Sequence, residues 1–342
     1  MAILASADII SEGLLSLQSL DEATLATIRR SNIKIEKYDA LAGEFRRAHM
    51  PLFVDLMMGL PGQTVASLRS DLQQCVDREV TAKCHGTELL INSPMNDATY
   101  RTDNQVVTSR PPGATGAGAD ALAKLGPSLV VSTSSFTRAD YEEMHRMRRT
   151  YLLSENLGVL RHVARFVRSV TGTVETDFYE SLRHAATADP ERWPVLAMAL
   201  NAVPDSMTPP VSWALFIEEL RDHLLRCTEV VAGSDLETTL AVQQAVLPSP
   251  SRSFPCEIRL GHDFAAWHDE ILRLKESGHR NDWETVAPPL STYAPASLTI
   301  QDPHDVSLRN MGLGSALTAY SDWELDSQVS RAMPHHHRLS IG

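Results

Sequence analysis

Leu52-Phe53-Val54-Asp55-Leu56-Met57-Met58-Gly59-Leu60-Pro61-Gly62-Gln63-Thr64 is the stretch on which the fold turns. Its first seven residues are apolar except for Asp55, the pattern of a strand covered on both faces. Gly59-Leu60-Pro61-Gly62 is punctuated as a turn. A helix is predicted from about Val65 to Arg78, with Leu68, Leu72 and Cys75/Val76 inward. Upstream, Leu14 to Leu20 alternates like a short strand, and Asp21 is placed to cap a helix that turns Leu25 and Ile28 inward. A second helix fits Glu36 to Ala48, with Tyr38, Leu41 and Phe45 on one face, and Pro51 ends it. Glu88 to Asn92 reads as a third strand. The order strand-helix-helix-strand-helix-strand predicts α/β architecture with a parallel sheet; a barrel and an open doubly wound sheet both satisfy it.

Beyond this core, residues 96–127 are polar and glycine-rich and are expected to form a flexible loop. Their G-x-x-G-x-G (Gly113, Gly116, Gly118) is not the dinucleotide fingerprint. Leu129 to Thr133 reads as another strand, and Thr137-x-x-Asp140 as a capping box opening a long helical region to about Val170, interrupted near Glu155 or Gly158. Its Arg146, Arg148, Arg149, Arg161, His162, Arg165 and Arg168 suggest solvated faces. Composition shifts near Thr171-Gly172-Thr173. Helices are expected around 175–187, 190–200, 211–231 and 235–247, a strand at Cys256–Leu260, a helix carrying Phe264, Trp267, Ile271 and Leu274, and a strand at Ser297–Ile300. The domains are then 1–172 and a mainly helical α+β region, 173–342, with proline- and serine-rich linkers near 248–255 and 285–298.

The 342 residues carry 31 basic and 43 acidic side chains, a net charge of −12 that argues against nucleic-acid and anionic-membrane partners. No apolar run reaches the roughly 18 residues of a membrane helix. No leader pattern precedes the first strand, so a cytoplasmic protein is expected. Cys75, Cys84, Cys227 and Cys256 lie 9, 143 and 29 residues apart, outside the short spacings with which one loop wraps a metal or cluster. His262-Asp263 and His268-Asp269 are expected in surface or capping roles, and His335-His336-His337 in a tail. No hydrolase or Walker motif is present.

Polar residues at or near strand ends carry the chemistry expected of such a sheet. Gln18 offers an amide, Asp55 a carboxylate that is costly in an apolar strand unless paired or used, and Arg30 a fixed cation twelve residues beyond Gln18. Gln18-Ser19-Leu20-Asp21 with Arg30, and Asp55-Leu56-Met57-Met58-Gly59-Leu60-Pro61-Gly62-Gln63-Thr64, resemble two segments of the radical S-adenosylmethionine (radical SAM) superfamily. Arg29-Arg30-Ser31-Asn32-Ile33 and Leu89 to Met95 are most similar to the subgroup that often carries a cobalamin-binding domain. The resemblance covers about residues 10–170.

The resemblance implies the later half of a partial (β/α)₆ TIM-like barrel, with strands four to six at 14–20, 52–58 and 88–92. It also implies that Gln18 and Asp55 contact the ribose of S-adenosylmethionine, that Arg30 contacts its carboxylate, and that the turn with Gly59 and Pro61 shapes the loop beside the nucleoside. The parent activity is radical chemistry with a [4Fe-4S] cluster, in some members with cobalamin. The family's C-x-x-x-C-x-x-C loop and Gly-Gly-Glu motif do not occur in this sequence. The expectation is a truncated family member, inactive alone, completed by a separate chain that supplies the first half of the barrel. A non-catalytic binding or partner protein of the same descent is the alternative, and an unrelated α/β enzyme a more distant one.

Overall fold

The computed structural model describes residues 13–32, 34–47, 52–109, 128–156, 158–201, 213–247, 255–301 and 338–341. The chain divides into two compact units. The first comprises residues 1–75 and 82–148, and the second residues 76–81 and 149–342.

The first unit begins with β1 (Gly13–Gln18), α1 (Glu22–Thr27), α2 (Ile35–Arg47), β2 (Leu52–Met58), α3 (Val65–Asp77) and β3 (Thr81–Gly86). These strands form a sheet in the order β1-β2-β3, with β1 and β2 parallel. β2 is central because its residues are apolar on both sides: Phe53, Val54 and Leu56 have no exposed surface. Leu68, Leu72, Cys75 and Val76 of α3 are buried at helical spacing, as the sequence predicts. Asp21 caps α1 by accepting from the Thr24 amide at 2.8 Å.

Strand three is a correction. Glu88 to Asn92 does not flank β2; Thr81–Gly86 does. The alternation there is Ala82 and Cys84 inward, Lys83 and His85 outward, a half-buried pattern that is short and carried by only two small inward side chains. Glu88–Leu89 forms β4 instead, which pairs antiparallel with β6 (Ser128–Ser132); β5 (Val107–Ser109) pairs antiparallel with the other side of β6. The strand expected at 129–133 thus exists but belongs to a separate antiparallel sheet. Residues 96–127 are not simply loop, since α4 spans Ala98–Asp103 under the Asp97 cap. The glycine motif at 113–118 lies outside the described residues. α5 (Arg138–Tyr151) opens with the predicted box: Thr137 N donates to Asp140 at 2.8 Å and Asp140 N to Thr137 Oγ1 at 3.2 Å.

The second unit contains a π-helical turn (Leu152–Asn156), α6 (Arg161–Thr171), α7 (Glu175–Ala188), α8 (Pro194–Asn201), α9 (Trp213–Cys227) and α10 (Ser234–Val246). β7 (Cys256–Leu260), α11 (Phe264–Glu276), β8 (Ala296–Gln301) and β9 (Arg338–Ile341) follow, and the strands form an antiparallel sheet in the order β7-β8-β9. Residues 285–298 include a 3₁₀ turn at Leu290–Thr292 whose Leu290 is buried, while 248–254 and the triple histidine lie outside the described residues.

The arginines of α6 overturn the expectation of solvated faces. Arg165 and Arg168 are buried, at 0 % and 1 % exposure. Burial of a guanidinium is tolerated only with charge and hydrogen-bond compensation. Arg165 meets Glu155 at 2.8 Å, Glu175 at 3.3 Å and Glu79 at 3.4 Å. Arg168 meets Asp77 at 2.8 Å, Glu284 at 2.9 Å and Glu175 at 3.0 Å, and donates to the Asn281 carbonyl at 2.9 Å. Lys275 pairs with Glu79, and Tyr179 donates to Glu155 at 2.7 Å. Burial alone would raise the Glu79 carboxyl, but Lys275 and Arg165 hold it well below its ordinary value. Of the two His-Asp pairs, Asp263 takes the expected capping role by accepting from Ala266 N at 2.9 Å, and His268 is half-buried, its ring against His162 and Phe264, where burial pushes it down to about 4.

Because Arg168 joins three carboxylates away from water, Arg168→Ala is expected to destabilise the full chain by about 3–5 kcal/mol, read as a lower midpoint in urea unfolding. A surface role would leave the midpoint within about 0.5 kcal/mol of wild type.

Candidate functional site

One face of the β1-β2-β3 sheet, open at Ser16 and part-open at Asp55 and His85, carries a row of three polar side chains, one from each strand. Ser16 and Asp55 are register partners on β1 and β2, and Ser16 Oγ donates to Asp55 Oδ2 at 3.1 Å. His85 of β3 places Nε2 at 3.9 Å from Asp55 Oδ1. Phe53 lies on the same side of β2, with the Lys83 ammonium 4.1 Å from its ring centroid. Asp55 is therefore paired through one oxygen, and its side chain remains 22 % exposed. Burial and the Arg148 guanidinium together hold His85 below the ordinary imidazole value, although Asp55 pulls the other way.

Gln18 sits at the end of β1, where the ladder is irregular between Ser16 and Gln18. Its φ of +68° is left-handed. A bulky L-residue held there costs on the order of 1–3 kcal/mol, and bulges re-aim side chains next to binding sites. Arg30 Nη2 donates to the Ser16 carbonyl at 2.6 Å, so this cation is tied to the strand that carries the serine. Asn32 Nδ2 donates to the Ser19 carbonyl at 2.6 Å.

The turn after β2 is fixed by Gln63, which has no exposed surface. Its Oε1 accepts from Gly59 N at 2.8 Å and Leu60 N at 3.4 Å, while Nε2 donates to the Met57 carbonyl at 3.0 Å. Gly59 (φ +88°) and Gly62 (φ +89°) have backbone angles that side chains disfavour. A Cβ on Gly62 would also lie 2.7 Å from Thr27 Oγ1 of α1. Pro61 is buried within this turn.

Under the end of β1 lies Asp71 of α3, fully buried. It accepts from Ser19 Oγ at 2.7 Å and from Leu20 N at 3.0 Å. Burial pushes its carboxyl up to about 7 despite these donors.

The structure thus places Asp55 in a row with Ser16 and His85. It sets Gln18 and Arg30 on the same strand and on the helix-loop that follows, and Gly59 and Pro61 in the adjoining turn. Ser16, His85, Gln63 and Asp71 are the members that sequence reading missed. The alternation Ala82-Lys83-Cys84-His85 was the available signal for the second of these.

No family model matches the chain. Over 193 residues it is 24 % identical to the cobalamin-dependent radical SAM methyltransferase TokK of Streptomyces tokunonensis, covering 54 % of this chain and 28 % of that protein. The chain therefore spans little more than a quarter of the curated relative it matches, and the similarity supports a relation to radical SAM proteins. This chain's cysteines do not fit a [4Fe-4S] cluster. Cys75 and Cys84 are buried, and burial pushes the Cys84 thiol up to about 12, against the thiolate that iron requires. Cys227 is exposed and Cys256 half-buried, and both belong to the other unit. Among the described residues no helix is long and apolar enough to cross a membrane.

Two outcomes follow from the supports of the site. Gln63→Leu leaves the Gly59 and Leu60 amides and the Met57 carbonyl without their partner, and is expected to lower stability by about 1–3 kcal/mol or more in urea unfolding. For Asp71, the folded value of about 7 exceeds the ordinary 3.8, so the folded chain holds this proton more tightly. The associated stability is complete below about pH 4 and is lost as pH rises through about 7. Asp71→Asn mimics the protonated acid. Its melting temperature is expected to gain on wild type between pH 5 and pH 8 in thermal circular dichroism; parallel curves would exclude the titration.

Proposed function

We propose that this chain is a radical SAM-related protein whose parallel sheet retains a nucleoside-binding face, and that it binds S-adenosylmethionine without cleaving it unaided. The observation that carries this reading is Asp55. It is a carboxylate in an otherwise apolar central strand, accepting from Ser16 through one oxygen, half open, and next to a turn braced by Gln63. A carboxylate with spare acceptor capacity suits the hydroxyls of a ribose. Asp55 and Gln18 would hold the sugar, Arg30 would face the methionyl carboxylate, and Gly59 and Pro61 would let the chain pass close to the nucleoside. In the radical SAM proteins that the sequence resembles, a [4Fe-4S] cluster supplies the electron for cleavage, and cobalamin accompanies it in TokK by that protein's name. No step is assigned to either group in this chain, because its cysteines do not fit the cluster.

A second reading, compatible with the first, is that a separate polypeptide pairs with this sheet and supplies the first half of a barrel. Two observations favour it: among the described residues no strand pairs with the outer edge of β1, and Leu14 on that strand is 51 % exposed. The division into a partial barrel at 1–172 and an accessory domain at 173–342 goes with this reading.

Isothermal titration of the full chain with S-adenosylmethionine is the test. Saturable binding is expected, with Asp55→Ala lowering affinity at least about tenfold, or about 1.4 kcal/mol. A folded wild-type chain that gives no heat, or binding that Asp55→Ala leaves intact, would sink the proposed site.

A further inference from the structure

The separation between Asp55 Oδ1 and His85 Nε2 is 3.9 Å. That is too long for a direct hydrogen bond. It is the right width for one oxygen held by both, since two bonds of about 2.8 Å would meet at that oxygen at roughly 90°. We propose that His85 and Asp55 together clamp a single hydroxyl group of the ligand, which donates to Asp55 Oδ1 and accepts from His85 Nε2–H. This deepens the reading above and rests on it. It makes His85 the residue through which the site requires a sugar hydroxyl rather than merely tolerating one.

The chemistry of the pair selects the group. Asp55 only accepts, and its other oxygen already accepts from Ser16 Oγ. A neutral imidazole donates through one ring nitrogen. The groups that bear on it are Asp55 from β2, Lys83 from its own strand and Arg148 from α5. Burial, Arg148 and Lys83 all favour the neutral ring, so at neutral pH no ion pair draws His85 onto Asp55 and closes the gap. A ligand group between them must donate to one side and accept from the other. An ammonium has no lone pair for His85. A carboxylate or phosphate oxygen is repelled by Asp55, and a carbonyl has no hydrogen for it. A hydroxyl meets both requirements. The pair is also reachable, since the side chains of His85 and Asp55 are 30 % and 22 % exposed. His85 is held from behind: the neighbouring Cys84 carbonyl accepts from Arg148 Nε, which ties β3 to α5 at this point.

The experiment compares S-adenosylhomocysteine with its 2′,3′-dideoxy analogue by isothermal titration, using the full-length wild type, His85→Ala and His85→Gln. S-adenosylhomocysteine binding is expected to weaken about tenfold in His85→Ala and to recover in His85→Gln, whose amide still donates. Wild type is expected to prefer the hydroxylated ligand over the dideoxy analogue by more than tenfold, and His85→Ala to lose most of that preference. Matching thermal melts of the three proteins would exclude simple unfolding. If wild type binds S-adenosylhomocysteine and His85→Ala binds it equally well with the same preference, this proposal alone is overturned. If folded wild type binds neither ligand, the nucleoside reading falls and the clamp falls with it.

Discussion

Two guanidiniums without water set the terms for the second unit. Arg165 and Arg168 are one helical turn apart on α6, and both point into the interior. Each would carry a desolvation penalty of several kcal/mol if left bare. The surrounding chain supplies acids from places far apart in sequence: Asp77 and Glu79, Glu155, Glu175, and Glu284. Glu175 lies between the two and serves both. Such an array adds less net stability than apolar packing of the same volume would. Its demand is geometric, because every member must arrive for any member to be tolerated. The start of α6 obeys the same logic with a neutral group, as Gln243 of α10 accepts from His162 N at 3.1 Å and donates to the Gly158 carbonyl at 2.9 Å.

The first unit works differently. Its core is apolar apart from Asp71 and the small polar groups near it, and most of the remaining polarity lies on one face and in the turns at the strand ends. β2 is buried along its length except where Asp55 and Met57 emerge. The site is therefore a local break in the rule that governs the rest of the strand, with neighbours arranged to make that break tolerable. Ser16 satisfies one carboxylate oxygen, and Gln63 consumes the backbone groups that the turn would otherwise leave orphaned. The bulge at Gln18 and the buried acid beneath it place strain and a titratable group at the end of β1.

How much of this was legible varied with the physics involved. β2 and α3 read cleanly because an apolar run and a 3.6-residue stripe are local signals, and Leu52–Met58 is bounded as expected. Asp55 stood out for the same reason. β3 did not read, because its alternation, Ala82-Lys83-Cys84-His85, is only four residues long and its inward members are small. The antiparallel sheet around β6 was hidden since strand direction depends on partners, not on composition. Arg165 and Arg168 misled most. Nothing in α6 itself announces that acids near residues 77, 155, 175 and 284 converge on it, and the periodicity of an arginine cannot say whether water or carboxylate lies opposite.

Residues 76–81 compact with residues from 149 onward, although they are flanked in sequence by the other unit. They carry Asp77 and Glu79, which face Arg168, Arg165 and Lys275. The two units therefore cannot be shuffled as modules. A recombination joint near residue 148 that brought in a foreign second half would separate these cations from the acids that neutralise them. Divergence along this lineage is expected to couple the short segment after α3 to α6 and α11, so that the pieces are inherited together or lost together.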